Sequence, residues 1–308
     1  MKPSQFYLLL FALSVSITGI AAQNAVNETL IISGTRFTYP LIEKWIAEYA
    51  KINPALTIKL VTAAETPDGA DLSIIAHQPD VNELKEGQAI VFTGRYGLLP
   101  VTNSKNPVLG STKKGLTKKD IDKLFFEVAN YDEEPVVEKP KFRATIYARD
   151  NKASASNTLA RYYGHVSSEI RGKKVLGDDI YLLSAISKDS IGVTFNNLGY
   201  LFDLKSRKLK DGIALLPLDL KKDAKNITLG NLDEVISTLE KARVESIPVE
   251  RIGFVYSQRD TRKEVADFLK WVLADGQQFN HAKGFLNLDK QELAEQTNHL
   301  TEKYLSLK

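Results

Sequence analysis

The spacing of hydrophobic residues changes several times along the chain, and each change marks an element. Thr29–Ser33 reads as a short β-branched strand, followed by the polar turn Ser33-Gly34-Thr35-Arg36. Pro40 then opens a helix, where its missing N–H does no harm. Leu41, Trp45, Ile46 and Tyr49 fall on one face of that helix with Glu and Lys opposite, and Asn53-Pro54 stops it. Leu56–Val61 alternates as a half-buried strand, whereas Ala70–Ala76 is an almost unbroken apolar run suited to a buried parallel strand.

The same order returns later. Ala144–Tyr147 reads as a strand, Arg149–Ser156 as a polar loop, and Leu159, Tyr162, Tyr163 and Val166 as the apolar face of a helix. Ile191–Phe195 reads as another buried strand. Val265, Phe268, Leu269 and Val272 recur at helical spacing before Asp275-Gly276 ends the pattern. Strand, helix and parallel strand joined by short links predict an α/β protein. Thr102–Lys114 and Tyr131–Lys141, rich in Pro, Gly and Lys, read as linkers. The opening segment differs from all of these. Met1–Ala22 has one basic residue, an apolar stretch and a small-residue end, which predicts a secretory leader cut after Ala22. No Cys follows the cut to carry a lipid, so the mature chain is expected to be free and soluble outside the cytoplasm.

Composition narrows the chemistry. The 308 residues are 43% hydrophobic and 26% charged, a globular mixture large enough for about two domains. A net charge of only +3 argues against nucleic acid as a partner. With no cysteine, disulfides, thiolate metal sites and cysteine nucleophiles are excluded. The four histidines, His77, His165, His281 and His299, share no metal-ligand spacing, and no nucleophile elbow, phosphate loop or zinc-protease motif occurs. The expectation is a protein that is not an enzyme and uses no metal or cofactor. Asp178-Asp179 reads as solvated loop charge.

Two polar turns remain, each following a strand and feeding a helix: Ser33–Thr38 and Arg149–Ser156. Hydroxyls, one Arg each and the free N–H groups of a helix start can together hold an oxyanion. The same hydroxyls could instead cap their own helices.

Several segments in order resemble the phosphate-binding proteins of phosphate-specific ABC importers, a class of periplasmic binding protein. Ile31–Trp45 resembles the family's opening strand, ligand loop and helix, and Ala70-Asp71-Leu72-Ser73 its next strand. Gly97–Val108 resembles the crossing into the second lobe. Ser190–Val193 and Leu198-Gly199-Tyr200 resemble a late second-lobe segment, and Phe268–Gln277 the closing helix.

The resemblance implies a type II periplasmic binding protein fold. Its two α/β lobes are each a mostly parallel sheet flanked by helices, with hinge strands between them and ligand in the cleft. Lobe I would be residues 26–98 plus 250–308, and lobe II residues 99–249. Ligand contacts would fall on Thr35, Arg36, Phe37 and Thr38 in the first loop and on Arg149, Ser154 and Ser156 in the second. Arg149 is expected to carry more of the binding than Arg36. The family's proton-accepting Asp falls at Ala76 or the neighbouring His77, and Thr62–Gly69 stands where the family has a longer donor loop. The expected role is capture of an oxyanion, phosphate first, by a monomer that hands it to a membrane permease. The rival expectation is a degenerate cleft on an envelope interaction or sensing module.

Overall fold

In Thr29–Gly34 (β1), alternation puts Leu30 and Ile32 fully into the core. The computed structural model describes residues 29–305 apart from 67–68, 81, 112–113 and 127–141. The leader Met1–Ala22 and the linker Tyr131–Lys141 therefore lie outside the described residues. After β1 come α1 (Tyr39–Tyr49), β2 (Thr57–Leu60), β3 (Leu72–Ile75) and the long β4 (Gln88–Asn103). The middle of the chain forms α2 (Val108–Ser111), α3 (Lys118–Phe125), β5 (Thr145–Arg149), α4 (Ser154–Tyr163), β6 (Lys173–Val175), α5 (Ile180–Ser187), β7 (Gly192–Asn197) and α6 (Leu198–Leu201). It ends with β8 (Ile213–Leu215), α7 (Leu232–Lys241), β9 (Val249–Ser257), α8 (Lys263–Leu273) and α9 (Lys290–Leu305).

The strands run in the order β2-β1-β3-β9-β4-β7-β5-β6, with β8 beside β4. β2, β1 and β3 are parallel, as are β6, β5 and β7. Between these triplets lie the antiparallel strands β9 and β4. β4 pairs with β9 from Gln88 to Gly97, then with β7 from Leu98 to Thr102. One strand thus belongs to both halves. The linker expected to begin at Thr102 starts later, because Thr102 and Asn103 are still paired with β8.

Each half has its own packing. α1 buries Leu41, Ile42, Trp45 and Tyr49, and the Trp45 ring meets Phe254 of β9 at 6.2 Å. Trp45 Nε1–H donates to the Gly276 carbonyl at 2.8 Å, so burial leaves no lone donor. Each such side chain contributes roughly 1.5–3 kcal/mol when fully buried. In the other half, Leu201, Phe202, Ile236 and Ile247 form a second cluster. The halves meet at Tyr96 of β4, whose hydroxyl donates to the Ala76 carbonyl (2.8 Å) and lies 2.9 Å from Thr158 Oγ1 on α4.

One expected helix is shorter than its pattern. α4 ends at Gly164 in the left-handed region (φ +86°), a favoured helix stop. Val166 therefore lies beyond the helix and is 59% exposed instead of joining the apolar face.

Candidate functional site

The two polar turns come together. The β1–α1 loop and the end of β3 face the β5–α4 and β6–α5 loops across a cleft of about 360 Å³. On the first wall, Gly34 (φ +134°) brings the chain so close to β3 that a Cβ would sit 2.3 Å from the Ile74 carbonyl oxygen. Only glycine fits there. Thr35 N–H then donates to that carbonyl at 3.2 Å, and a 3-10 turn, Arg36–Thr38, runs into α1.

Neither helix start is capped by a side chain. Thr35 precedes the 3-10 turn without capping it, and Thr38 precedes α1 without capping it. α4 begins after Ala153, which has nothing to cap with. The Thr35 and Ser154 hydroxyls instead meet across the cleft, 3.3 Å apart. Since the first N–H groups of a helix have no partner within it, α4 presents unsatisfied donors beside Ser154 and Ala155, which line the cleft.

The expected residues divide into three sets. Thr35, Arg36, Phe37, Arg149 and Ser154 line the cleft. The Phe37 ring packs into the core, against Tyr96 at 4.8 Å and Phe285 at 6.1 Å. Thr38 and Ser156 stand behind the wall: Thr38 Oγ1 donates to Thr35 O (2.6 Å) and Ser156 Oγ to Arg149 O (3.2 Å). These two hydroxyls brace the loops. His77 also lies behind the wall, with Nδ1 3.4 Å from Ser154 Oγ and Nε2 2.7 Å from Glu83 Oε1.

Arg149 is placed differently from the expectation of a ligand-facing charge. It is 8% exposed, and its Nε donates to Asp179 Oδ1 at 2.6 Å. Nη1 donates to Val175 O (2.6 Å) and Nη2 to Gly177 O (2.5 Å). The neighbour Asp150 lies only at 3.6 Å, so the main partner is thirty residues away in sequence. Asp178-Asp179 corrects a second expectation. Both carboxylates line the cleft, and Asp179 is buried. Burial pushes the Asp179 carboxyl up to about 6 despite the opposing pull of Arg149, and the charges of Asp178 and Asp150 push the same way. Tyr200 is raised by burial first and then by Asp178, which bonds to its hydroxyl. Sequence reasoning also passed over Lys152, which lines the cleft. The missed signal was Gly177-Asp178-Asp179 between a strand and a helix, the third strand-to-helix turn of the site.

The cleft wall therefore carries Arg36, Lys152 and the paired Arg149 against Asp178 and Asp179. Among the described residues, no three His, Asp or Glu side chains converge as a metal site requires. No helix among them is long and apolar enough to cross a membrane.

Comparison with solved structures matches this architecture over most of the chain. A Clostridium perfringens structure, described as a phosphate ABC transporter substrate-binding protein with bound phosphate, aligns at TM-score 0.61 and 13% identity. The alignment covers 85% of this chain and all of that one. An ABC-type phosphate transport receptor from Vibrio cholerae aligns at TM-score 0.57 and 10% identity, over 84% of this chain and 100% of that one. The chain has the fold of the phosphate-type periplasmic binding proteins. That agrees with the expected fold class, although each parallel triplet of this binding-protein fold is completed by the antiparallel crossing strands. An OxyR mutant from Corynebacterium glutamicum with hydrogen peroxide bound also aligns (TM-score 0.50, 12% identity, 92% of this chain and 70% of that one). A binding-protein fold therefore does not by itself fix the ligand. No protein-family model matches the sequence, and no curated protein matches it.

Proposed function

We propose that this chain is an extracytoplasmic binding protein for a tetrahedral oxyanion, phosphate in the first place, which it passes to a membrane permease. The observation that carries this reading is the pair of helix starts without side-chain caps, facing one cleft whose hydroxyls meet at 3.3 Å. An anion there satisfies N–H donors from both sides and is favoured by the helix dipoles. Arg36 and Lys152 supply the charge that Arg149 does not. The fold shared with the phosphate-bound Clostridium perfringens protein supports the same ligand class. In this reading Met1–Ala22 is removed on export, residues 26–98 with 250–308 form lobe I, and residues 99–249 form lobe II. The mature protein acts as a periplasmic monomer without enzymatic activity.

A second reading rests on a specific observation. Three guanidinium N–H groups of Arg149 and the hydroxyls of Thr38 and Ser156 are turned inward. A cleft that has lost so many donors suits an envelope interaction or sensing module whose outer surfaces do the work. A thermal-shift screen of residues 23–308 against phosphate, arsenate, sulfate and chromate separates the two. Ligand at a thousandfold excess over Kd stabilises by about 4 kcal/mol, or roughly 7 °C for a chain of this size. No shift with any oxyanion favours the module.

A further inference from the structure

The cleft wall carries one charge that neither the wall nor a bare anion accounts for. Arg149 and Asp179 hold each other, with Nε donating to Oδ1 at 2.6 Å. That leaves Arg36 and Lys152, both exposed, against Asp178. Asp178 is half-buried beside the start of α5, where its Oδ1 accepts Ile180 N–H at 3.1 Å and the Tyr200 hydroxyl bonds to the carboxylate. The ion pairs of this wall run from Arg149 to Asp179 and Asp150, and among the described residues none reaches Asp178.

The two bonds that Asp178 makes are both to neutral donors. A carboxylate has about four lone-pair sites and no hydrogen to give. Ile180 N–H and the Tyr200 hydroxyl therefore leave it further accepting capacity and its full charge. Toward the bare oxygens of an anion in the same cleft it offers only repulsion, whereas a cation answers both its charge and its open sites. The cleft is also larger than a bare oxyanion requires. Its volume, about 360 Å³, is room for roughly ten waters at about 30 Å³ each. It falls in the range of pockets for small organic molecules, about 300–1,000 Å³. A tetrahedral oxyanion has five heavy atoms.

We propose that the ligand is a small phosphomonoester that also carries an ammonium group, its phosphate held by the helix starts with Arg36 and Lys152 and its ammonium by Asp178. This rests on the oxyanion reading above and names the class of oxyanion. The charges match: two cations and one carboxylate on the wall meet two negative charges and one positive charge on the ligand. Asp178 is then a specificity-determining residue that touches the ligand, and its bond to Ile180 N–H fixes where the carboxylate stands.

Phosphoethanolamine and propyl phosphate are the discriminating probes, because they have the same shape and differ by an ammonium in place of a methyl group. At pH 8 both phosphates are dianionic, their second pKa being about 6. In titration calorimetry of residues 23–308, phosphoethanolamine is expected to bind at least about tenfold more tightly, the worth of one charge-assisted hydrogen bond. Asp178→Asn keeps an oxygen for Ile180 N–H and should abolish that preference, weakening phosphoethanolamine and strengthening propyl phosphate. Glycerophosphoethanolamine, the diester form of a lipid headgroup, carries one negative charge fewer and should bind more weakly than the monoester. The reverse order would overturn the monoester. Equal binding of phosphoethanolamine and propyl phosphate by the wild type overturns the ammonium site while leaving the oxyanion reading intact, and this comparison needs no variant to fold. An Asp178→Asn protein that loses both ligands equally overturns it as well, since the carboxylate would then serve the phosphate end. Wild type that binds neither ester nor inorganic phosphate overturns the oxyanion reading, and the ammonium site with it.

Discussion

The β1–α1 loop and the β5–α4 loop face each other across the cleft with similar residues, yet they are held by opposite means. In the first, backbone holds backbone: Gly34 lies flat on β3 and Thr35 N–H bonds to Ile74 O. Its Arg36 is exposed and lines the cleft. In the second, a side chain does the holding. Arg149 ties the loop to Asp179 and to the carbonyls of Val175 and Gly177. A guanidinium fixed in this way shapes the wall and has little left for a ligand. Two Arg residues in matching turns are thus placed differently, one exposed at the cleft and one spent on holding its own wall.

The largest expected effect follows from that division. Arg149→Ala leaves the buried Asp179 without its partner and should destabilise the protein by about 3–5 kcal/mol. Chemical denaturation measures this, and a double-mutant cycle with Asp179→Ala should show strong coupling between the two sites. A stable Arg149→Ala protein that has lost only binding would reverse the assignment.

Arg36→Ala should do the converse. Affinity for phosphate is expected to fall at least about tenfold, with Tm unchanged within about 2 °C, as for most exposed positions. Calorimetry and a melting curve on the same sample check both halves.

A pH profile sharpens the comparison from the Asp179 side. The Asp179 carboxyl stands at about 6 in the folded protein against an ordinary 3.8, so the folded state holds this proton more tightly than the unfolded chain does. Its contribution to stability is full below pH 3.8 and is lost as pH rises through about 6. Denaturation of wild type and Asp179→Asn across that window should show the wild type losing stability that the variant does not lose.

Much of the fold was legible in the sequence because local pattern and tertiary environment agree there. β1, α1 and α8 bury the residues that their periodicity marks, Leu30 and Ile32, Trp45 and Tyr49, Phe268 and Val272. β4 was not legible as one strand. Gly94, Gly97 and Pro100 interrupt its pattern, its register shifts between Phe92 and Gly94, and it serves two sheets at once. Val166 was misplaced although Gly164, the stop signal, stood two residues before it. In the site, the two loops were legible from their hydroxyls and their position after strands. The fate of Arg149 was not, because its partner Asp179 comes from another turn and meets it only in the folded structure.

Ala153 offers the substitution that bears most directly on the proposed anion site. Ala153 occupies the extended conformation of a helix cap without a capping side chain. Ala153→Asp should cap α4 and stabilise the protein by about 1 kcal/mol, while its carboxylate occupies the donors that an anion needs. Titration calorimetry of residues 23–308 with inorganic phosphate, wild type beside Ala153→Asp, is the direct test. One site per chain in the wild type, weakened at least about tenfold in the better-capped variant, is the predicted result. No binding by the wild type, or equal binding by both proteins, would contradict the account.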